Sequence, residues 1–328
     1  MRKLVVLCVV MASILCLLGC AKVGEEKSFT YLISGVDQAA SNTDVLGILR
    51  YSHTQNTITC LQIPRDTYFA FGKEQNKINQ IYPTALSGDA SPASQKKAMA
   101  HLTQSVSDAF GIQVDGYLSL SMADVARGVD AMGGIVLKLP CEVAYQDKHG
   151  IVHTLPKGEQ KLTGEQAVAF VRHRAGYLTG DLGRIDAQKI FMFAFLEQVG
   201  QVRDIGKMLS IVSTLYEGAL TNIPLATIFS HATHFLTHKK ETDLYAMTLP
   251  GKAVQKEGKS GLWYYAVCKS EAKRVLAEYF ATTAPFDAHE VMNAPHIQSV
   301  REVYHSPSCP TEIYHNEDCK HLDIKTPH

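Results

Sequence analysis

Apolar positions in this chain fall into two spacings. Residues 29–36 are an apolar run that halts at Gly35 and Asp37, which reads as a buried strand opening into a loop. Residues 45–51 and 57–63 repeat that run around a polar turn at 53–56, and Pro64 closes the second of them. In 94–110 the apolar positions are 98, 99, 102, 106, 109 and 110, a helical spacing that Gly111 stops. A strand at 117–120, a helix at 123–132 ended by Gly133 and Gly134, and a strand at 135–139 follow. Thr163 is placed to cap a helix that runs up to 171–174. Residues 181–197 form a further helix, then helices around 202–217 and 224–236, a strand at 244–249 and a helix at 270–280. Alternation of this kind predicts an α/β protein with α/β/α layering.

The N-terminus breaks the pattern. Arg2 and Lys3 precede an apolar run over 4–18 that ends at Gly19 and Cys20, the form of an export signal. The run falls short of the roughly 20 residues a spanning helix needs. Leu17-Leu18-Gly19-Cys20 resembles a lipobox, which makes Cys20 the lipidation site, with an uncleaved signal anchor as the alternative. Either way the domain is tethered to the extracytoplasmic face of a bacterial membrane. This divides the chain into a lipoprotein signal at 1–20, a polar tether at 21–28, a main domain at 29–281 and a tail at 282–328.

The 328 residues balance 32 basic against 32 acidic side chains, so nothing suggests a nucleic-acid partner and any local basic excess is specific. Such an excess exists: Arg65 and Asp66 in Ile-Pro-Arg-Asp, Lys77 in Lys-Ile-Asn, Arg172 and Arg174 in Val-Arg-His-Arg, and Arg184 with Gln188. Arg184 and Gln188, four apart, share a helix face near an N-terminus that favours anions. Arg172 and Arg174 share a side if 171–174 is extended. Guanidinium forks suit the paired oxygens of a pyrophosphate, and the alternative is that these arginines pair with Asp66, Asp181, Asp186 and Glu165. Asp37 and Asp44 flank a small-residue loop that could fold both carboxylates onto one Mg2+, or each caps a turn.

Eight segments carry a resemblance in order and spacing: Ile-Ser-Gly-Val-Asp (33–37), Asn-Thr-Asp (42–44), Gln-Ile-Pro-Arg-Asp-Thr-Tyr (62–68), Lys-Ile-Asn (77–79), Val-Asp-Ala-Met-Gly-Gly-Ile (129–135), Leu-Thr-Gly-Glu-Gln-Ala (162–167), Val-Arg-His-Arg (171–174) and Gly-Asp-Leu-Gly-Arg-Ile-Asp-Ala-Gln (180–188). Together they resemble the LytR-CpsA-Psr family over about 29–281. The resemblance implies a central mixed sheet, a hydrophobic lipid pocket and an arginine-rich mouth. It also implies transfer of a glycan polymer from a polyprenyl-pyrophosphate carrier onto peptidoglycan, forming a phosphodiester. Asp37 and Asp44 then correspond to magnesium-associated acids, and Arg65, Lys77, Arg172, Arg174, Arg184 and Gln188 to pyrophosphate contacts. Arg65, Asp66 and Asp37 are the catalytic candidates, with Asp66 either assisting deprotonation or holding Arg65. Two departures stand out: 38–43 lacks the arginines common in relatives, and position 187, often basic there, is Ala187. A hydrolase of the same lipid and a non-catalytic polyprenyl-lipid binder are the alternative functions.

Five cysteines remain beyond Cys20, at 60, 141, 268, 309 and 319, too few and scattered for a disulfide framework. In the tail Cys309 and Cys319 lie among His305, His315 and His321, open to zinc, a disulfide or free thiols. His231, His234 and His238, three and four apart at a helical spacing, are either metal ligands or a solvated face.

Overall fold

A computed structural model describes residues 27–36, 43–71, 74–86, 88–147, 149–174, 177, 181–256, 263–280, 300–302 and 314–315. The signal at 1–20, Asp37 and the tail cysteines lie outside the described residues. In chain order the first strands are β1 (Ser28–Val36), β2 (Thr43–Ser52), β3 (Thr57–Gln62), β4 (Tyr68–Phe71) and β5 (Glu74–Lys77). A 3-10 turn at Ile78–Gln80 leads into helices α1 (Ile81–Leu86) and α2 (Pro92–Phe110). Next come β6 (Gly116–Ser121), α3 (Met122–Met132), β7 (Ile135–Leu139), β8 (Val143–Gln146), β9 (Val152–Leu155) and β10 (Gly158–Leu162). Helices α4 (Gly164–Arg172), α5 (Asp181–Gln201) and α6 (Ile205–Gly218) precede β11 (Leu220–Thr221), α7 (Leu225–His238), β12 (Asp243–Thr248), β13 (Gly251–Lys256) and β14 (Trp263–Val267). Helix α8 (Lys269–Phe280) and short β15 (Val300–Glu302) and β16 (Tyr314–His315) complete the order.

Seven strands form the central mixed sheet in the order β11-β6-β1-β2-β3-β12-β16, with β1 parallel to β6 and β3 parallel to β12. Helices cover both faces, which is why these strands read as continuous apolar runs rather than alternating ones. On one face Leu32, Leu46, Ile48 and Leu61 pack with Met99, Leu102, Val106 and Phe110 of α2 and with Val275 and Leu276 of α8. On the other, Tyr51, Ile58, Leu244 and Ala246 pack with Phe193 of α5 and Phe235 of α7. A second core joins β7, β8 and β9 to α4 and α5 through Leu137, Val143, Leu155, Phe170 and Ile190.

Local signals set the helix ends. Ser91 accepts from the Ser94 amide with Pro92 at the first helical position, so α2 starts two residues before the periodic pattern does. Ser121 with Asp124, and Thr163 with Gln166, form capping boxes for α3 and α4. Helix α4 continues through Arg172, so 171–174 is not extended: His173 leaves the helix and Arg172 and Arg174 do not share a strand face. The hairpins β4–β5, β8–β9 and β13–β14 have no counterpart in the apolar pattern.

Helices α3 and α4 approach closely at Gly164, where an added Cβ would stand 2.2 Å from the Ala126 carbonyl oxygen. Backbone cannot yield as a side-chain tip can. Gly164→Ala is expected to lower the unfolding free energy by about 1–3 kcal/mol in urea titrations, with the slope unchanged.

Candidate pyrophosphate site

The strand β1 meets β2 through a register break: Gly35 pairs with Val45, but Val36 pairs with Thr43. Asp44 is therefore the extra residue of a β-bulge, which re-aims its side chain at the sheet end. The turn after β3 supplies the second component. Its backbone is tied on every side, with the Ile63 amide donating to Leu46 O, the Thr67 amide to Pro64 O, the Asn79 amide to Arg65 O and the Tyr265 amide to Asp66 O. Arg65 and Asp66 are thus held by β2, by the 3-10 turn and by β14 at once.

From the turn, Arg65 Nη1 donates to Asp44 Oδ1 at 2.7 Å, and its Nε lies 3.7 Å from Asp181 Oδ2. Asp181 opens α5 and collects two further guanidinium groups. Arg184 Nη2 donates to Asp181 Oδ2 at 3.1 Å and reaches the Asp44 carbonyl at 3.4 Å, while Arg174 Nε is 3.5 Å from Asp181 Oδ1. Arg184 Nη2 also stands 2.9 Å from Asp181 Oδ1, yet no N–H aligns with that oxygen, so this is an ion pair without a hydrogen bond. Three guanidinium groups against two carboxylates leave the group one positive charge in excess.

Two donors in the cluster find no protein acceptor: the buried Nε–H groups of Arg65 and Arg184. A buried N–H without an acceptor costs about 1–3 kcal/mol, and Asp181 Oδ1 in the same group likewise takes no hydrogen bond, so the ion pairs here are held by charge more than by aligned hydrogen bonds. Burial alone would lower the Arg65 pKa, but the Asp44 hydrogen bond and the charges of Asp181 and Asp66 outweigh it and raise it. For Arg184 burial wins: its pKa is lowered, with Arg174 and Arg65 adding to that against the pull of Asp181.

The other sequence candidates divide. Lys77 Nζ donates to Asp66 Oδ1 at 2.7 Å and lies 5.9 Å from the Tyr264 ring centre, so Asp66 holds Lys77, and Asp44, not Asp66, holds Arg65. Gln188 is buried and donates to Val171 O at 3.3 Å, bracing α5 against α4. Arg172 is exposed at the end of α4 and joins no ion pair among the described residues. Ala187 is fully buried in the second core, so its missing charge takes nothing from the arginine group. Asp37 and Cys20 lie outside the described residues. Asp181, read from sequence as a possible salt-bridge partner, is the residue on which the arginines converge.

For a magnesium ion, Asp44 is the described donor. One of its oxygens accepts from Arg65 and the other, Oδ2, takes no hydrogen bond among the described residues, which suits an ion bound by one or two carboxylates and phosphate oxygens. No cluster of three or more His, Cys, Asp or Glu side chains among the described residues is arranged to hold a metal. His231, His234 and His238 form no such cluster, and His231 and His234 are turned onto the sheet by Tyr31 and Tyr51 rather than standing on a solvated face.

A profile of the LytR_cpsA_psr family matches residues 20–280. The chain belongs to the LytR_cpsA_psr family. It is 26% identical over 259 residues to a polyisoprenyl-teichoic acid–peptidoglycan teichoic acid transferase TagU of Oceanobacillus iheyensis, covering 77% of this chain and 76% of that one. Among solved structures it is similar to B. subtilis TagV, with a TM-score of 0.65 at 22% identity over 79% of this chain and all of that one. It is likewise similar to TagT bound to LI-WTA, with a TM-score of 0.59 at 18% identity over 80% and 93% of the two chains. These likenesses show the α/β fold with its central mixed sheet.

A cleft of about 800 Å³ runs between β7, α5 and α7, lined by Val136, Ile190, Phe193, Leu196 and Phe235. Phe193 stands nine residues after Arg184, about half a turn round the helix from it at 100° per residue. On α5 the cleft-lining Phe193 therefore faces away from Arg184.

Asp181→Ala removes the shared partner of three cations. It is expected to lower the unfolding free energy by about 1–3 kcal/mol in denaturant titrations.

Proposed function

We propose that this family member transfers a glycan polymer from a polyprenyl-pyrophosphate carrier onto peptidoglycan. Its closest-fitting chemistry is recognition of the pyrophosphate. The observation that carries the reading is the gathering of Arg65, Arg174 and Arg184 around Asp44 and Asp181 at one sheet end, with one positive charge in excess. Guanidinium forks that stay charged at any physiological pH are suited to the non-bridging oxygens of such a group. TagU of Oceanobacillus iheyensis carries the name of a teichoic acid transferase acting with peptidoglycan, which supports the same class here.

In the proposed step a wall-sugar hydroxyl forms a bond to the glycan-proximal phosphorus. The bond from that phosphorus to the bridging oxygen breaks, and polyprenyl phosphate leaves with the electron pair. Arg65, Arg174 and Arg184 neutralise charge on the transferring and leaving phosphoryl groups, the main demand of this chemistry. The hydroxyl proton goes to a carboxylate, for which Asp66, part-exposed with one oxygen on Lys77, is the described candidate. Asp44 and Asp37 would hold a magnesium ion, which would supply further charge neutralisation.

No helix among the described residues is long and apolar enough to cross a membrane. Lipidation at Cys20 is the proposed tether, keeping the domain at the extracytoplasmic face where carrier and wall meet.

The test mixes radiolabelled lipid-linked glycan with the protein and peptidoglycan fragments. Label in the wall supports transfer, phosphate-terminated free glycan means hydrolysis, and retention without release means a binding protein. Arg65→Ala is expected to lower transfer by about 10²–10³-fold while far-UV circular dichroism stays unchanged. Full transfer by that variant removes Arg65 from the chemistry.

A further inference from the structure

On the sheet face opposite α2, four imidazoles and two phenols from three elements meet. The Tyr31 hydroxyl of β1 is hydrogen-bonded to His231 Nε2 at 2.7 Å, and His231 Nδ1 is hydrogen-bonded to His53 Nε2 at 2.9 Å, just past β2. The Tyr51 hydroxyl of β2 meets His234 Nδ1 at 2.7 Å. The His53 and His234 rings stack at 3.9 Å and 5°, and His238 stacks on His234 at 4.3 Å. Phe29 closes one side, its ring edge-on to His231 at 4.7 Å.

We propose that His53, His231 and His234 form an acid-released latch that holds α7 against the central sheet. Proton counting gives the reason. A neutral imidazole has one N–H, and His231 spends both nitrogens, one on Tyr31 and one on His53. With both rings neutral, or with one of them protonated, one N–H still faces one acceptor across the 2.9 Å contact, but the first added charge already lies against the stacked His234 ring with no carboxylate to balance it. Protonation of both rings sets N–H against N–H. No carboxylate pairs with any of the four imidazoles among the described residues. The charged groups that face the cluster are Lys27, ahead of β1, and Asp115, which acts on Tyr31 and whose Oδ2 accepts the Thr30 amide. Neither offsets added positive charge on the rings.

Apart from the rings, α7 is held by Phe235, its one buried residue, which packs with Tyr51, Phe193 and Leu244, and by half-buried Ile228, Phe229, Ala232 and Leu236; Phe235 also walls the cleft along α5. Release of the histidines loosens the helix whose aromatic side chain closes that cleft.

Protonation follows the same direction. Burial and then the neighbouring His234, His231, Lys27 and His238 push the His53 pKa down to about 4, and burial with His234 brings His231 to about 4. The released state takes protons from about pH 6.5 downward, the docked state only near 4, so the docked state is lost as pH falls through that window. The inference is independent of the transferase reading.

Hydrogen exchange of the full chain in detergent, corrected for intrinsic rates, tests it at pH 7.5 and pH 5. Opening of residues 225–238 is expected to rise at least about tenfold at pH 5, while α2 and β1–β3 keep their protection. The double variant His53→Gln, His231→Gln is expected to lose most of that rise. Equal α7 protection at both pH values overturns the latch. So does loss of α7 protection in step with α2, which marks global unfolding. Both readings come from the unaltered protein, so a variant that fails to fold leaves the test intact.

Discussion

Everything at the candidate site follows from one electrostatic problem: three guanidinium groups held within reach of each other at a sheet end. Like charges this close repel, and burial of Arg184 adds a desolvation cost. Asp181 answers by touching all three cations, and Asp44 answers by taking Arg65 from the other side. One positive charge stays in excess, together with two buried N–H groups that the protein does not use. A site that neutralised its arginines fully would have no attraction left for a doubly phosphorylated group, and one without Asp181 would push its cations apart.

The geometry behind this is a property of the sheet. A register break at Gly35 and Val36 turns Asp44 out of the ladder, and Gly35 tolerates the close approach because a Cβ there would stand 3.1 Å from that of Val45. The turn that carries Arg65 and Asp66 is fixed through backbone hydrogen bonds to β2, to the 3-10 turn and to β14, so it is a rigid arm. Preorganisation of this kind is what electrostatic stabilisation of a charged transition state requires. The opposite sheet face has the contrary character. There α7 packs through Phe235 and adds polar contacts between His231, His234 and the Tyr31, Tyr51 and His53 side chains of the sheet edge.

Much of the architecture was legible in the residues. The periodic apolar positions of α2 are all buried, and Thr163 caps the helix it precedes; the caps at Ser91 and Ser121 came from the structure. The failures have physical causes. Residues 171–174 read as extended because two arginines with one residue between them fit a strand period, yet the capping box at Thr163 propagates a helix through Arg172. The hairpins β4–β5 and β8–β9 are four residues a side and carry too few apolar positions to show a period of two.

Of the site, the sequence by itself named the charged participants, since Arg65, Lys77, Arg174 and Arg184 each sit in a distinctive motif, and it set where the helices begin. It did so because capping and periodicity act within about four residues along the chain. Tertiary structure alone decided the pairing: Asp44 takes Arg65 from 21 residues away and offers its carbonyl to Arg184 across 140, while His231 meets Tyr31 across 200. Those partners are chosen by strand order and register, which bring distant segments to one sheet end or one sheet face, and no local spacing encodes them.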